Sequence, residues 1–406
     1  MKFKLLSIFL IVIVVVLALT SCGKSDVEKA EEQRKSSLKI GLILSGDDTD
    51  VYSKLHYDGL TSAVDKIGLK KDKLIMKTKV SEEQCYETAI ALVDDGCTLI
   101  FAAGDKFEDY IVQAATEKTD VQFCYADGKQ SNTNGLKNYH NYGISTFESR
   151  YLTGVIAGMK LNEMINNGEI VDSQAKIGYV GSVAGSQSRS DYTAFFLGVK
   201  SVCNGVTMEV QYSGLSNSVN LERIAANALM ANGCIMIAQQ GYLNGAAETC
   251  EKNGKYFIGC DSSATDKAPK FSVTSTQIDL TPCYSYAIET YIKDGHLPTS
   301  WCNGIKNDAV SFTEINTAAF SSEESAKAAE EKAEQVKSSI KEGKLHIFNT
   351  SKWTVDNKKV TSTGTSDFQM LYNGTEYIKD GYFAEGEIVS YPQFDFVIDG
   401  IKELNA

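Results

Sequence analysis

From residue 38 to residue 260 two hydrophobic periods take turns along the chain. Short apolar runs that stop at Gly, Asp or Ser read as buried strands. Apolar residues at i, i+3, i+4 and i+7 read as helices with one inward face. Ile40, Leu42, Ile43 and Leu44 give the first strand, stopped at Ser45-Gly46, and Leu60, Ala63, Val64 and Ile67 the first helical stripe, closed by Gly68. Strands then follow at 73–80, 98–102 (to Gly104) and 121–126 (to Asp127-Gly128), separated by the stripes Cys85, Ala89, Leu92, Val93 and Phe107, Tyr110, Ile111, Ala114, Ala115. A long helix is predicted over 149–162. A second series has strands at 175–180, 207–212, 234–238 and 256–260, the last ending in Asp261-Ser262-Ser263. Strands separated by helices pair in parallel through right-handed crossovers, so their carboxyl ends share one edge. Gly46, Gly104 and Asp127 fall on such an edge. The pattern is two α/β units in tandem, each of domain scale.

Beyond residue 280 the pattern changes. A helix is predicted over 282–293 and a strand over 309–314; 323–341 reads as a helix of alternating charge with a solvated face. Short strands are expected at 345–348, 353–355 and 388–391, with 394–401 at the end, and 356–385 reads as a surface loop or hairpin.

The first residues change the picture of location. Lys2 and Lys4 precede an apolar run over 5–19, which is short for a membrane span of roughly 20 residues. Leu19-Thr20-Ser21-Cys22 follows, so 1–21 reads as a secretory signal. The Leu-Thr-Ser-Cys end resembles a bacterial lipobox, which implies cleavage before Cys22, its lipidation, and anchoring on the extracytoplasmic face of the cell membrane. Residues 24–37 are charged without an apolar face and read as a tether, giving a tether over 22–37.

Composition is that of a soluble globular protein, with 43% hydrophobic and 23% charged residues, and 406 residues suffice for two sizeable cores. A net charge of −12 without a basic stripe excludes a nucleic-acid footprint. Nine cysteines remain after Cys22, scattered and odd in number, and read as buried thiols rather than a disulfide framework. The four histidines are far apart, so no metal site is expected and no cofactor is implied.

Candidate chemistry begins in the loop after the first strand, where Asp47, Asp48 and Asp50 precede Tyr52. Ligands of open α/β sheets bind at the carboxyl ends of the strands. Carboxylates there accept protons from hydroxyls and an aromatic face stacks on a ring, which suits a neutral hydroxylated ring compound; a solvated acidic turn is the competing reading. Gly178, Gly181 and Gly185 miss the GxGxxG spacing and no GxxxxGK[ST] occurs. Gly154 and Gly158 lie on one face of the long helix and suit close packing inside a soluble lobe rather than dimerisation in lipid. Asp127 and Asp261 could form a catalytic carboxylate pair, and a Ser-His-Asp site lacks a GxSxG elbow. An enzyme is not expected.

The order of motifs at 100–104 with Asp127, 147–158 (FESRYLTGVIAG), 175–181 and 256–262 resembles the basic membrane protein family of ABC-transporter substrate-binding lipoproteins, which includes the purine nucleoside receptor lipoproteins. The resemblance runs from about residue 38 to 314; 347–354 and 381–404 look like the tail of some members. It implies a periplasmic-binding-protein-like type I fold, α/β, with two doubly wound lobes joined by three crossing strands and a hinge that closes on ligand. The crossings are expected near 144–147, 271–276 and 301–305. One lobe is then 38–145 with 272–303, the other 146–271 with 304–406.

The resemblance also implies roles. Tyr52 takes the place of the family's purine-stacking Phe, Ser53 that of an Asn, and Asp48 or Asp50 that of the acids before them. Asp127 and Asp261 match family acids, Asp261 the one bonding ribose hydroxyls. Gly104 matches, with Asp105 where an aromatic usually follows. Gln240-Gly241 stands for a Gly-Gly loop, with Tyr242 next, and Thr276 or Gln277 occupies the neighbourhood of an absent lysine. The implied protein is a receptor for a small molecule, a purine nucleoside, working with an ABC permease. The alternatives are a sugar, nucleobase or signalling ligand on the same fold, or a sensor lipoprotein without a permease.

Overall fold

The computed structural model of the chain describes residues 25–214 and 218–405. The expected signal segment and Cys22 lie outside them. Two sheets form the frame. The first contains β1 (Ile40–Leu44), β2 (Leu74–Lys77), β3 (Leu99–Ala103), β4 (Gln122–Ala126), β5 (Tyr139–Ile144) and β11 (Ser300–Asn303), in the order β11-β5-β4-β3-β1-β2, all parallel. The second contains β6 (Lys176–Gly181), β7 (Thr207–Tyr212), β8 (Met236–Gln239), β9 (Tyr256–Gly259), β10 (Ser272–Ile278), β12 (Val310–Phe312) and β15 (Ile401–Glu403), in the order β12-β10-β9-β8-β6-β7-β15. Only β12 runs antiparallel there, and β13 (Ile378–Lys379) and β14 (Tyr382–Phe383) form a separate short antiparallel pair. Fully buried β1, β3 and β4 explain their continuous apolar runs: helices cover both faces of the sheet.

The chain passes between the sheets three times: at Ser145, between β5 and α5 (Thr146–Asn166); at Asp279-Leu280, between β10 and α9 (Thr281–Asp294); and at Gly304-Ile305, between β11 and β12. The first and third crossings fall where expected. The second does not. Residues 272–276 sit inside the second sheet, with Ser272 beside Phe257 and Ser275 beside Gly259, so the return to the first sheet begins after Ile278. The strand reads as polar, S-V-T-S-T, yet Ser272, Thr274, Ser275 and Thr276 are buried. Two of its hydroxyls are spent internally, Thr274 on the Thr313 carbonyl (2.8 Å) and Thr276 on Asp261 (2.5 Å).

The tight glycine pair of α5 packs on α6 (Ser186–Lys200): a Cβ on Gly154 would run into the Phe195 carbonyl oxygen. Three other expectations are corrected. The tether is helical over α1 (Asp26–Ser37), because Ser25 and Glu28 close a capping box, and Arg34 Nε donates to the Ile292 carbonyl at the end of α9 (2.6 Å). Helix α10 (Glu323–Lys341) is not wholly solvated; Ala326, Ala329 and Ala333 bury a narrow stripe. The short strands expected at 345–348, 353–355 and 388–391 do not form, because that chain is organised by aromatic packing rather than by a ladder. Phe348 stacks on Phe394 at 4.3 Å, and Trp353, Phe383 and Phe396 join them in the core of the second sheet. The nine described cysteines are unpaired and all but Cys302 are buried. No helix among the described residues is long and apolar enough to cross a membrane.

Candidate ligand-binding cleft

The carboxyl ends of both sheets open onto one cavity of about 440 Å3. Its first wall is aromatic. Helix α2 (Val51–Ile67) starts at the end of β1 with Asp50 as its cap, the carboxylate accepting from Ser53 N at 2.8 Å. That start carries Tyr52 and His56 on successive turns of one face, their rings 4.6 Å apart. His56 Nδ1 lies 2.7 Å from the Tyr284 hydroxyl, and Tyr284 lies 3.1 Å from that of Tyr142. Burial lowers the His56 pKa to about 3, so the ring is neutral. Asp127 follows β4 with φ +54°, a left-handed conformation uncommon for a side chain with a Cβ, and accepts from the Tyr52 hydroxyl at 3.5 Å. Asp127 is exposed within the cleft, yet protein atoms crowd its carboxylate from both walls, and this desolvation raises its pKa to about 6 against the Tyr52 hydrogen bond.

The second wall is polar and charge-compensated. Arg150, one turn into α5, is buried beneath the ends of β8 and β9. It donates to the Gln239 carbonyl (2.9 Å) and to Cys260 Sγ (3.0 Å), and its Nε stands 3.7 Å from an Asp191 carboxylate oxygen. Asp191, on α6, also accepts from Thr146 Oγ1 at 2.7 Å. Its pKa is raised by burial, with Arg150 pulling the other way. Asp261 follows β9 with φ +53°, and Thr276 Oγ1 both accepts from its amide (2.8 Å) and donates to its carboxylate (2.5 Å). At the hinge, Glu148 Oε2 accepts from Ile305 N at 2.5 Å, tying the first crossing to the third; burial raises its pKa to about 7.

A family model described as "ABC transporter substrate-binding protein PnrA-like" matches residues 38–346. The chain belongs to that family. It is an ABC transporter substrate-binding protein. Basic membrane protein D of Borreliella burgdorferi is 26% identical over 69% of this chain and 79% of its own length. A purine-binding protein of Brucella abortus is 24% identical over 62% of this chain and 67% of its own length. The structure of an ABC transporter solute-binding protein from Conexibacter woesei superposes with a TM-score of 0.61 at 18% identity, covering 76% of this chain and 98% of that one. The likeness in fold is to solute-binding proteins of the periplasmic-binding-protein type.

Six residues singled out in the sequence line this substrate-binding protein's inner cavity: Tyr52, Asp127, Gln240, Gly241, Tyr242 and Asp261. Asp50, Gly104 and Asp105 border only an outer chamber that continues from it. Asp50 Oδ1 is engaged as the cap of α2. Two others stand apart. Asp48 is exposed and borders neither space. The Ser53 hydroxyl is buried and accepts from Gly46 N at 3.0 Å, so it closes the turn after β1 and does not face the cavity. Arg150, Asp191, Thr146 and Gln187 line the cavity unforeseen. Arg150 carried a signal: a guanidinium next to the largely apolar run 151–159 is buried only with a partner. Asp191 carried none, because it follows the polar run Ser186–Ser190 and only the fold sets it beside Arg150.

Proposed function

We propose that this substrate-binding protein traps a purine nucleoside between its two walls and delivers it to an ABC permease. The observation that supports this most is the makeup of the inner cavity. Tyr52 and Tyr242 line it from opposite sheets with aromatic rings, while Asp127, Asp191 and Asp261 supply carboxylates. The one cationic side chain lining it among the described residues, Arg150, is already engaged with Asp191, Gln239 and Cys260. Such a site accepts hydroxyl and ring N–H protons and opposes an added phosphate. A cavity of about 440 Å3 lies within the ~300–1,000 Å3 of small-molecule pockets. Asp261, held by Thr276, is assigned the ribose hydroxyls, and Tyr52 the base. The same acids suit a free sugar, which the test must separate.

Isothermal titration of the chain from residue 25 against adenosine, guanosine, inosine, adenosine monophosphate and ribose decides the matter. Binding at micromolar concentration or below by at least one nucleoside, with none by the monophosphate, is the expected result. Heat from ribose alone would overturn the nucleoside and keep the receptor. Cys22 is assigned as the lipidated anchor on the extracytoplasmic face, and Cys22→Ser should release the protein from the membrane fraction; retention would remove the assignment.

A further inference from the structure

The family match ends at residue 346, yet the last sixty or so residues reach back into the cleft. They are bound to the second sheet: β15 pairs with β7, Arg189 holds Asp395 (2.9 Å) and Glu403 (3.1 Å), and Phe394 and Phe396 sit in that core. From this base one turn, residues 385–394, leans over the hinge towards the first sheet. The buried Glu385 carboxylate fixes the turn by accepting from Gln393 N (2.8 Å) and Phe394 N. The turn meets β5 so closely that a Cβ on Gly143 would stand 2.5 Å from the Ser390 carbonyl oxygen. The next residue, Tyr391, lines both the inner cavity and the outer chamber. Its other partner belongs to the first lobe: Lys129 Nζ stands 4.0 Å from the ring centroid, over its face. Lys129 is itself placed by Glu108, which accepts from its amide at 2.6 Å.

We infer that Tyr391 is a ligand-contacting, specificity-determining residue: the tail carries it to the boundary between inner cavity and outer chamber, where it limits ligand size and, through Lys129, latches the closed cleft. A side chain fixed by its own turn and by a cation on the opposite lobe is preorganised for contact. The inference rests on the cleft being the ligand site, and deepens that reading.

The test uses the full-length chain in detergent. Tyr391→Ala should weaken the tightest-binding nucleoside at least tenfold, Tyr391→Phe less than threefold, and Lys129→Ala by an intermediate factor, all with an unchanged urea midpoint. Tyr391→Ala should also lower the ratio of Kd for N6-benzyladenosine to Kd for adenosine at least tenfold, which a purely structural role would not do. Affinity within twofold and an unchanged ratio would overturn the inference. If wild type binds no nucleoside, the nucleoside reading fails by itself, and the same variants against ribose, galactose and adenine decide Tyr391. Acetylation of Lys129 by acetic anhydride, mapped by mass spectrometry, reads the latch without ligand. Tyr391→Ala should speed it at least threefold, and an equal rate would overturn the latch.

Discussion

Asp127 and Asp261 occupy the same place in two sheets, each just past a strand that ends at the cleft and each in a left-handed backbone conformation, φ +54° and +53°. Their surroundings differ. Asp127 has one hydrogen-bonding side chain, Tyr52, at 3.5 Å, and behind it lie His56, Tyr142 and Tyr284 in ring-to-ring contact. Asp261 is clamped by Thr276, beside a buried Arg150 that also compensates Asp191. One wall is a shaped aromatic surface with an acid on it; the other is a polar network that fixes its acceptors before a ligand arrives. Under the nucleoside proposal, the first wall would stack on the ligand and the second would recognise it by hydrogen bond. The lesson is that one backbone device, a strand-end residue in the left-handed region, serves either purpose according to what packs behind it.

The sharpest way to break the contrast is to remove the cation from the polar wall. Arg150→Met leaves the buried Asp191 carboxylate uncompensated and should cost about 3–5 kcal/mol in urea unfolding, whereas Asp127→Asn in the aromatic wall should cost about 1 kcal/mol or less. Equal losses would erase the distinction. Next in size are the ligand contacts. Asp261→Ala should cost about 2 kcal/mol of binding through lost charged hydrogen bonds, and Tyr52→Ala about 1–3 kcal/mol through lost stacking. Titrating the better-bound nucleoside and then ribose separates the two, because loss of the ring should leave ribose unaffected.

The hinge between the walls should respond to pH. The folded-state pKa of Glu148 is raised to about 7 from the usual 4.5 by burial. The folded chain therefore keeps a proton that the unfolded chain releases. Stability from this group is full below pH 4.5 and declines as pH rises to about 7. Glu148→Gln should remove that part of the decline, up to about 1.4 kcal/mol per pH unit, in urea unfolding compared with wild type across the window. Asp127 and Glu385, raised to about 6 and about 7, slope the same way. His56, lowered to about 3, slopes the other way: its burial costs stability as pH falls below 6.5. A difference curve that is flat in pH would mean Glu148 is ionised in the fold. The smallest effect sharpens the roster of acids. Asp50→Ala should lose about 1 kcal/mol of stability as a helix cap and leave nucleoside affinity unchanged.

Much of the architecture was legible because its signals are local and repeated. Each buried strand of the two series announces itself as an apolar run, and each helix by one stripe, so parallel pairing and the shared edge follow from right-handed crossovers, while the strand order comes from the structure. Strand-end residues such as Asp127 and Asp261 were legible for the same reason. Less legible were segments whose polarity is satisfied at long range. Residues 272–276, where the family resemblance implies a crossing, carry no apolar run to mark them as strand, and their partners Thr313 and Asp261 are distant in sequence. The tail after residue 346 lacks a period, because its rings from Phe348 to Phe396 pack mainly on one another and its one antiparallel pair is two residues long on each side.

By itself, then, the sequence determined that two parallel α/β sheets would present Tyr52, Asp127, Tyr242 and Asp261 at strand ends, since strand period and loop position are properties of neighbouring residues. The tertiary structure alone decided which acids face one another across the cleft, that Asp50 and Ser53 are engaged at a helix start, that Arg150 and Asp191 meet under the second wall, and that Tyr391 returns from the tail to the mouth of the inner cavity. Those facts depend on contacts between residues up to hundreds of positions apart, and no local period encodes them.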